Sequence, residues 1–551
     1  MYSELQHLTT ERQVEFLTRK LIEIESYNGT KGETLKANWL FEVLQSFPYF
    51  QTNPEQVWKK NIGDELGREN VFAFIKGKEH TAETIIYFAH LDTVGTEDFG
   101  PIQSIAHKPD ELQDYFSTYE GDEEVQKDAK SGDWLFGRGS LDMQSGIAVH
   151  LVNALYFTEN LEELKGNILI MFNPDEESQH TGIRSALKEL IRLKEHLNLE
   201  YITAINNDFI SPLFDHDEMK YIYTGTAGKL LPCFYIFGRE AHVGDSLTAI
   251  DPTLIGSELV REISQNFKLV EQLDDELVLP PSCLYLRDDK KSYDVQTAVS
   301  AKVYFNYFVY EKSPKAVMDD LLSISKHTCR SIEIRQADNY EKFRQTNDLP
   351  ERELDFKVDV ISLEDYIAYL EGLGIETKKI MNVAFNEANR DILDDRMVAF
   401  QMVEALQNAD PEKRPRVILF YAPPYLPANF LQLEKERNQL LYNVIKKELS
   451  KEIGEQFKLR RYFPYLSDGS FLSFDGTDED IQSLIANFPG MEQLFPLPLK
   501  DMTLLSIPAI NFGVYGKSGH KWTERVYKPY TFEVLPKLIR NVTMNILNKM
   551  N

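Results

Sequence analysis

Cysteine is scarce: Cys233, Cys283 and Cys329 are the only three in 551 residues, odd in number and far apart. That excludes a disulfide framework and a Cys-rich zinc site, and it suits reduced thiols acting as small buried apolar residues. Positive charge is short as well. Lys and Arg number 60 against 87 Asp and Glu, a formal charge of −27, and no Lys/Arg cluster stands out. An acidic chain without a basic patch repels phosphate backbones and anionic headgroups, which argues against nucleic acid and membrane partners. No apolar run reaches the roughly 20 residues that span a bilayer. The opening Met-Tyr-Ser-Glu-Leu-Gln-His lacks a basic region followed by an apolar core, so the chain reads as cytoplasmic. Internal repeats and low-complexity tracts are also missing.

What is present is enough apolar content, 42%, and enough length for two or more cored domains. The pattern Thr10-x-x-Gln13 resembles a capping box, and Val14, Leu17, Leu21 and Ile24 follow at helical spacing. A second helix is expected over 33–45. Strands are expected at 70–75 and 84–89, the latter apolar almost throughout in the manner of a strand buried on both faces. Strands at 167–172 and 201–205 with a helix over 181–196 continue the alternation, which predicts an α/β sheet covered by helices. The interval 98–133 is acidic and poorly patterned and reads as a surface excursion. From about 221 the order becomes strand, helix, strand, strand, helix (230–237, 252–266, 293–310 with a break, 314–329), as in an inserted α+β module. Buried-looking strands at 416–421 and 509–514 suggest that the first domain then resumes. The expected domains are 1–220, 221–345 and 346–551.

Several chemistry-bearing residues fall just after these strands. In Gly137-Arg-Gly-Ser-Leu-Asp142-Met-Gln-Ser-Gly146, two glycines allow a sharp turn that leaves one carboxylate in front of a helix starting near Gln144. Asp142 can cap that helix or face two cations. In Ala89-His90-Leu91-Asp92-Thr93, residues two apart share a side, so Asp92 can hold one ring nitrogen of His90 while the other binds a metal. Such a pair also occurs at strand ends with no metal. Asn173-Pro174-Asp175-Glu176-Glu177-Ser178 and Asn206-Asn207-Asp208 each follow an apolar strand, at the carboxyl edge where open α/β sheets place ligands. Each alone is an ordinary acidic turn. Gly516-Lys-Ser-Gly-His520-Lys-Trp-Thr-Glu524 presents an imidazole on a tight turn, with Glu524 as support. Two His and three carboxylates form an N/O donor set that suits zinc, and also cobalt or manganese.

In order, HLDT, GRGSLDM, PDEES, NND, GREAHVG and SGHKWTE resemble the co-catalytic di-zinc family of aminoacylase, glutamate carboxypeptidase, acetylornithine deacetylase and succinyl-diaminopimelate desuccinylase. The resemblance covers nearly the whole chain, and the length and local wording look like the bacterial arginine-utilisation branch. It implies an α/β catalytic domain with a mixed, helix-covered sheet, carrying an inserted ferredoxin-like α+β lid that also dimerises. It implies two zinc ions, one held by His90 and Asp208, the other by Glu177 and His520, with Asp142 bridging. Asp92 would orient His90, Glu176 would be the general base, and His242, in Gly238-Arg-Glu-Ala-His242, would stabilise the oxyanion, often across a dimer interface. A cis peptide after Asp142 is also expected.

Departures are visible. Gln144-Ser145-Gly146 replaces the usual Lys-Gly-Gly after Asp-Met, Asp208 stands where several relatives have Glu, and Asn306 is followed by Tyr307-Phe308 in place of Asn-x-Arg. The segment over 349–413 is longer than usual. The implied function is a metallohydrolase cleaving an amide bond of a short peptide or N-acyl amino acid, in amino-acid and arginine catabolism. The alternative is a family-shaped protein without catalysis that serves as a binding or assembly partner. A two-metal phosphatase or nuclease fits the ligand chemistry but neither the motif wording nor the acidic surface.

Overall fold

The computed structural model describes residues 1–550 except His80, Asp274, Ile453 and Leu466. The chain forms two compact units: Met1–Thr226 with Asn429–Phe474 and Lys500–Asn551, and Ala227–Ala428 with Asp475–Leu499.

The first unit is built on an eight-stranded sheet. Its order is Val57–Asn61, Glu69–Ile75, Asn167–Asn173, Glu83–His90, Glu200–Asn206, Ala509–Asn511, Lys220–Tyr223 and Phe457–Arg460. Glu83–His90 runs parallel to both Asn167–Asn173 and Glu200–Asn206, and Ala509–Asn511 runs parallel to Glu200–Asn206. The first two strands pair antiparallel at the edge, so the sheet is mixed. Because four central strands share one direction, their carboxyl ends reach the same edge, with His90 opposite Asn173 and Asn206 opposite both Phe88 and Asn511. Glu83–His90 is buried at every position after the first, which is what the run Ile85-Ile86-Tyr87-Phe88-Ala89 requires of a strand covered on both faces.

Helix Ser145–Glu159 is apolar on nearly all sides and almost wholly buried. It packs against Thr10–Glu23, Leu535–Met550 and the Glu83–His90 strand. Each fully buried Ile, Leu, Val or Phe there contributes on the order of 1.5–3 kcal/mol. The cap of Thr10–Glu23 is Thr9, whose hydroxyl accepts from the Arg12 N–H at 3.5 Å, one residue before the capping pattern expected at Thr10. The interval 98–133 is more ordered than its composition suggests, with helices Pro109–Ser117 and Glu123–Ser131 burying Leu112, Phe116 and Val125. Two-turn helices carry too few apolar residues to show a clear period, but their starts are marked by Pro109 and by the Asp122 carboxylate, which accepts the Glu124 and Val125 N–H groups.

The second unit carries a six-stranded sheet ordered Ser282–Asp288, Ser300–Val309, Pro232–Phe237, Arg416–Tyr421 and Asp359–Ser362, with Gly228–Leu230 also paired to Ser300–Val309. Pro252–Ile263 and Pro314–Thr346 pack together, the former on the outer strands. On the Cys233 and Tyr235 side, Leu363–Gly372 and Asp395–Ala409 close a separate core around Tyr366, Val398, Phe400 and Phe420. This is an α+β unit, but a larger one than the sequence suggests. Residues 346–428 stay with it and add two strands and three helices, where a return to the first domain at 346 is expected from the sequence. A fully buried strand such as Arg416–Tyr421 looks the same whichever sheet it joins. The last helix also runs to Thr346, well past 329.

Candidate metal centre

The carboxyl edge of the large sheet gathers the strand-end motifs of the first unit. His90 ends its strand, Glu176 and Glu177 follow Asn167–Asn173, and Asp208 follows Glu200–Asn206. Asp142 enters from the turn after Trp134–Phe136, and that strand pairs with Arg525–Tyr527, just beyond His520. Gly139 makes this turn at φ +78°, where any side chain would also collide with Thr93 Cγ2 at 2.8 Å.

Asp142 lies at the middle. Its Oδ1 stands 2.9 Å from His90 Nε2 and its Oδ2 stands 2.9 Å from His520 Nε2. His520 Nε2 is also 3.0 Å from Glu177 Oε1. Ligand atoms of His90, Asp142 and Asp208 fall within 4.8 Å of one another, and so do those of Asp142, Glu177 and His520. One carboxylate thus serves two adjoining N/O clusters. The peptide bond from Asp142 to Met143 is cis.

A second layer fixes these groups. The Asp92 carboxylate accepts the Glu176 N–H at 3.1 Å, the Glu177 N–H at 3.0 Å and the Asn28 amide at 2.9 Å. His90 Nδ1 is 3.1 Å from the Asp92 main-chain carbonyl and 3.6 Å from its carboxylate. The shorter contact is with the backbone, and the Asp92 side chain holds the PDEE turn. Asp175, at φ +70°, takes Arg68 at 3.0 Å, and its N–H donates to Glu33 at 2.9 Å. Glu524 accepts from both the Leu141 and Asp142 N–H groups and pairs with Arg138 at 2.7 Å. Its support therefore goes to Asp142 rather than to the His520 ring.

The electrostatics are those of crowded anions. Burial, with the Asp142 charge behind it, raises Asp208 to about 8. Burial also raises Glu177, again with help from Asp142, and raises Glu176 well above its usual range, where the charges of Glu177, Asp468 and Asp208 reinforce it against His90. Burial opposes Asp142 too, but hydrogen bonds from His520 and His90 outweigh it and hold this carboxyl below the usual range. Hydrogen bonds to Asp142 and Glu177 lift His520 to about 11.

The sequence passes over two more members. His180 and Asp468 join Glu176 in a third cluster within 4.8 Å, with His180 Nδ1 2.9 Å from Asp468 Oδ1. His180 lies in the same turn as Glu176, but Asp468 comes from Ser467-Asp468-Gly469-Ser470, which reads as a bare turn. His242 is not among the clustered groups. It belongs to the second unit, is exposed, and its Nδ1 accepts the Gly244 N–H at 3.1 Å.

The family described as Peptidase family M20/M25/M40 matches residues 86–223, the stretch from the strand of His90 to beyond Asp208. Over 550 residues the chain is 53% identical to Protein RocB of Bacillus subtilis (strain 168), covering 99% of this chain and 97% of that protein. This chain belongs to peptidase family M20/M25/M40. As a member of M20/M25/M40 it is a metallohydrolase. It is also 32% identical over 542 residues to the uncharacterised protein YqjN of the same organism, covering 97% and 96% of the two chains. A tripeptidase from Staphylococcus aureus subsp. aureus Mu50 shares the fold, with TM-score 0.51 and 11% identity over 98% of this chain and 99% of that one.

The donor set fits the cations of a metallohydrolase. Imidazole and carboxylate are the ligands of zinc, cobalt and manganese, and the two adjoining clusters share Asp142. Three carboxyls raised by burial and by the charges of neighbouring carboxylates are a local excess of anions that divalent cations would offset.

Proposed function

We propose that this chain hydrolyses the amide bond of a short peptide or an N-acyl amino acid with two divalent ions, zinc or else cobalt or manganese. The observation that carries this reading is Asp142, whose two oxygens face two different histidines at 2.9 Å each. His90 and Asp208 would hold one ion, Glu177 and His520 the other, and Asp142 both. When bound, such a pair supplies Lewis acidity to the substrate carbonyl and lowers the pKa of bound water to about 7.

The chain's own groups then have defined tasks. Glu176, buried beside the clusters but in neither of them, takes a proton from the attacking water and returns it to the leaving amine. Its raised proton affinity suits both halves of that transfer. Asp92 sets the path of the Glu176–Glu177 backbone through two N–H bonds. His242 is assigned to the developing oxyanion, with a homodimer formed through the inserted unit. Arginine and amino-acid catabolism is the setting that the sequence resemblance implies, in a cytoplasmic protein.

The test is a panel of dipeptides and N-acyl amino acids assayed with zinc, cobalt and manganese in turn. Metal-dependent release of a free amine is the expected result. A chain carrying two metals per molecule that is inert across the panel would favour the non-catalytic binding role instead.

A further inference from the structure

Beside the metal ligands lies a second, fully buried pair that the reaction above does not use. His180 and Asp468 are each 2% exposed. His180 Nδ1 has two carboxylates within 4 Å, Asp468 Oδ1 at 2.9 Å and Glu176 Oε1 at 3.9 Å. A ring nitrogen 2.9 Å from a carboxylate donates its hydrogen there, whereas 3.9 Å is beyond a hydrogen bond. Among the described residues His180 is the only cation-capable side chain within 4 Å of the Glu176 carboxylate. The His180 N–H is therefore committed to Asp468 with Glu176 about 1 Å out of range.

The commitment is built into the backbone. His180 sits at φ +53°, its N–H donating to the Asp175 carbonyl at 2.7 Å, while the Thr181 N–H donates to the Asp175 carboxylate at 3.1 Å. Asp468 begins a short helical turn, Asp468–Leu472, pressed on the sheet. A Cβ at Gly469 would meet Ala509 Cβ at 2.8 Å and Phe88 Cζ at 3.3 Å. The Asn206 amide donates to Ser467 Oγ at 3.2 Å and the Asn429 amide to the Gly469 carbonyl at 2.7 Å. The Asn173 amide reaches Asp468 Oδ2 at 3.4 Å, and the Phe471 ring lies 5.2 Å from the His180 ring. Both partners are fixed by the main chain, so the choice between two acceptors is made by position.

We propose that Asp468 is a positioning residue that holds the His180 N–H away from Glu176, leaving the Glu176 carboxylate free to carry a proton. Without Asp468, Glu176 is the one carboxylate among the described residues left within 4 Å of the His180 ring. A Glu176 captured in a buried charge-assisted bond is a poorer proton carrier, because such bonds are about twice as strong as neutral ones. The proposal rests on Glu176 being the general base, and it adds the device that keeps it available.

Zinc-loaded crystals of Asp468→Ala and Asp468→Asn test it, together with kinetics on whichever panel substrate the parent turns over fastest. In Asp468→Ala the distance from His180 Nδ1 to Glu176 Oε1 is expected to close to about 3 Å. Both zinc ions should stay, kcat should fall at least tenfold, and KM should stay within threefold. Asp468→Asn keeps an oxygen that accepts from Nδ1, so its distance and kcat should stay near those of the parent. Adding His180→Ala to Asp468→Ala removes the capturing ring and should recover much of the lost kcat. An unchanged gap in Asp468→Ala, or no recovery in the double variant, overturns the proposal. Activity in Glu176→Gln would instead reject the base, while the change in distance would still report on the pair.

Discussion

Glu524 holds Asp142 by its backbone. One carboxylate oxygen accepts the Leu141 and Asp142 N–H groups at 3.0 and 3.1 Å, and the other meets Arg138 at 2.7 Å. Both charged partners are 1% exposed. Glu524→Gln keeps the shape but sets an amide NH2 against a buried guanidinium, and breaking such a pair costs roughly 3–5 kcal/mol. Urea unfolding should show that loss, together with weaker metal binding. A change below about 1 kcal/mol, the scale of a surface pair, would mean that the clamp is not what fixes the turn.

Glu176→Gln is nearly isosteric and touches no assigned ligand. We expect both metals to be retained by elemental analysis and turnover to fall by about 10²–10⁴-fold, the range of general acid–base catalysis. A fully active variant would reject the assignment.

His90→Ala and His520→Ala should each lose one metal equivalent. They should differ in stability, because the His90 side chain is 3% exposed and that of His520 is 46% exposed. Truncation at 90 opens a hole beside Asp142 and should lower the melting temperature, while truncation at 520 should leave it close to that of the parent. Unchanged metal content in either variant would contradict the ligand scheme.

The metal-free protein should lose stability as pH rises. Asp208 keeps its proton to about pH 8 when folded but gives it up near 4 when unfolded. Over that interval the folded chain binds the extra proton, and raising pH favours unfolding. His520, lifted to about 11, contributes stability that is complete below about 6.5 and is lost as pH climbs through 11. The two effects share a sign between about 6.5 and 8. Calorimetry should give a lower melting temperature at pH 8 than at pH 6.5 without metal, and a smaller difference with saturating zinc. A melting temperature that rises over this range without metal would show that other groups dominate.

How much of this could be read from the chain alone depended on how local each signal is. His90 ends an apolar strand, and Asp142, Glu177 and Asp208 stand within six residues past one or past a glycine turn, so short windows of sequence point to the edge where the structure gathers them. Asp468 has no such marker, and its partner His180 lies 288 residues away. Arg68 and Glu33 belong to an ordinary strand entrance and helix start, and only their shared contact with Asp175 gives them meaning. The extent of the second unit was hidden for a related reason. Pairing partners of a strand buried on both faces are chosen by topology, and the residues of Arg416–Tyr421 would suit either sheet.

The half-exposed ring of His520 has a consequence for how the centre would fill and empty. The other side chains assigned to the ions are 8% exposed or less, so the cluster of Glu177 and His520 is the one more open to solvent, and a chelator should strip it before that of His90 and Asp208. Two kinetic classes of ion, one labile and one slow to leave, would then arise from exposure alone, with no difference in the chemistry of their donors.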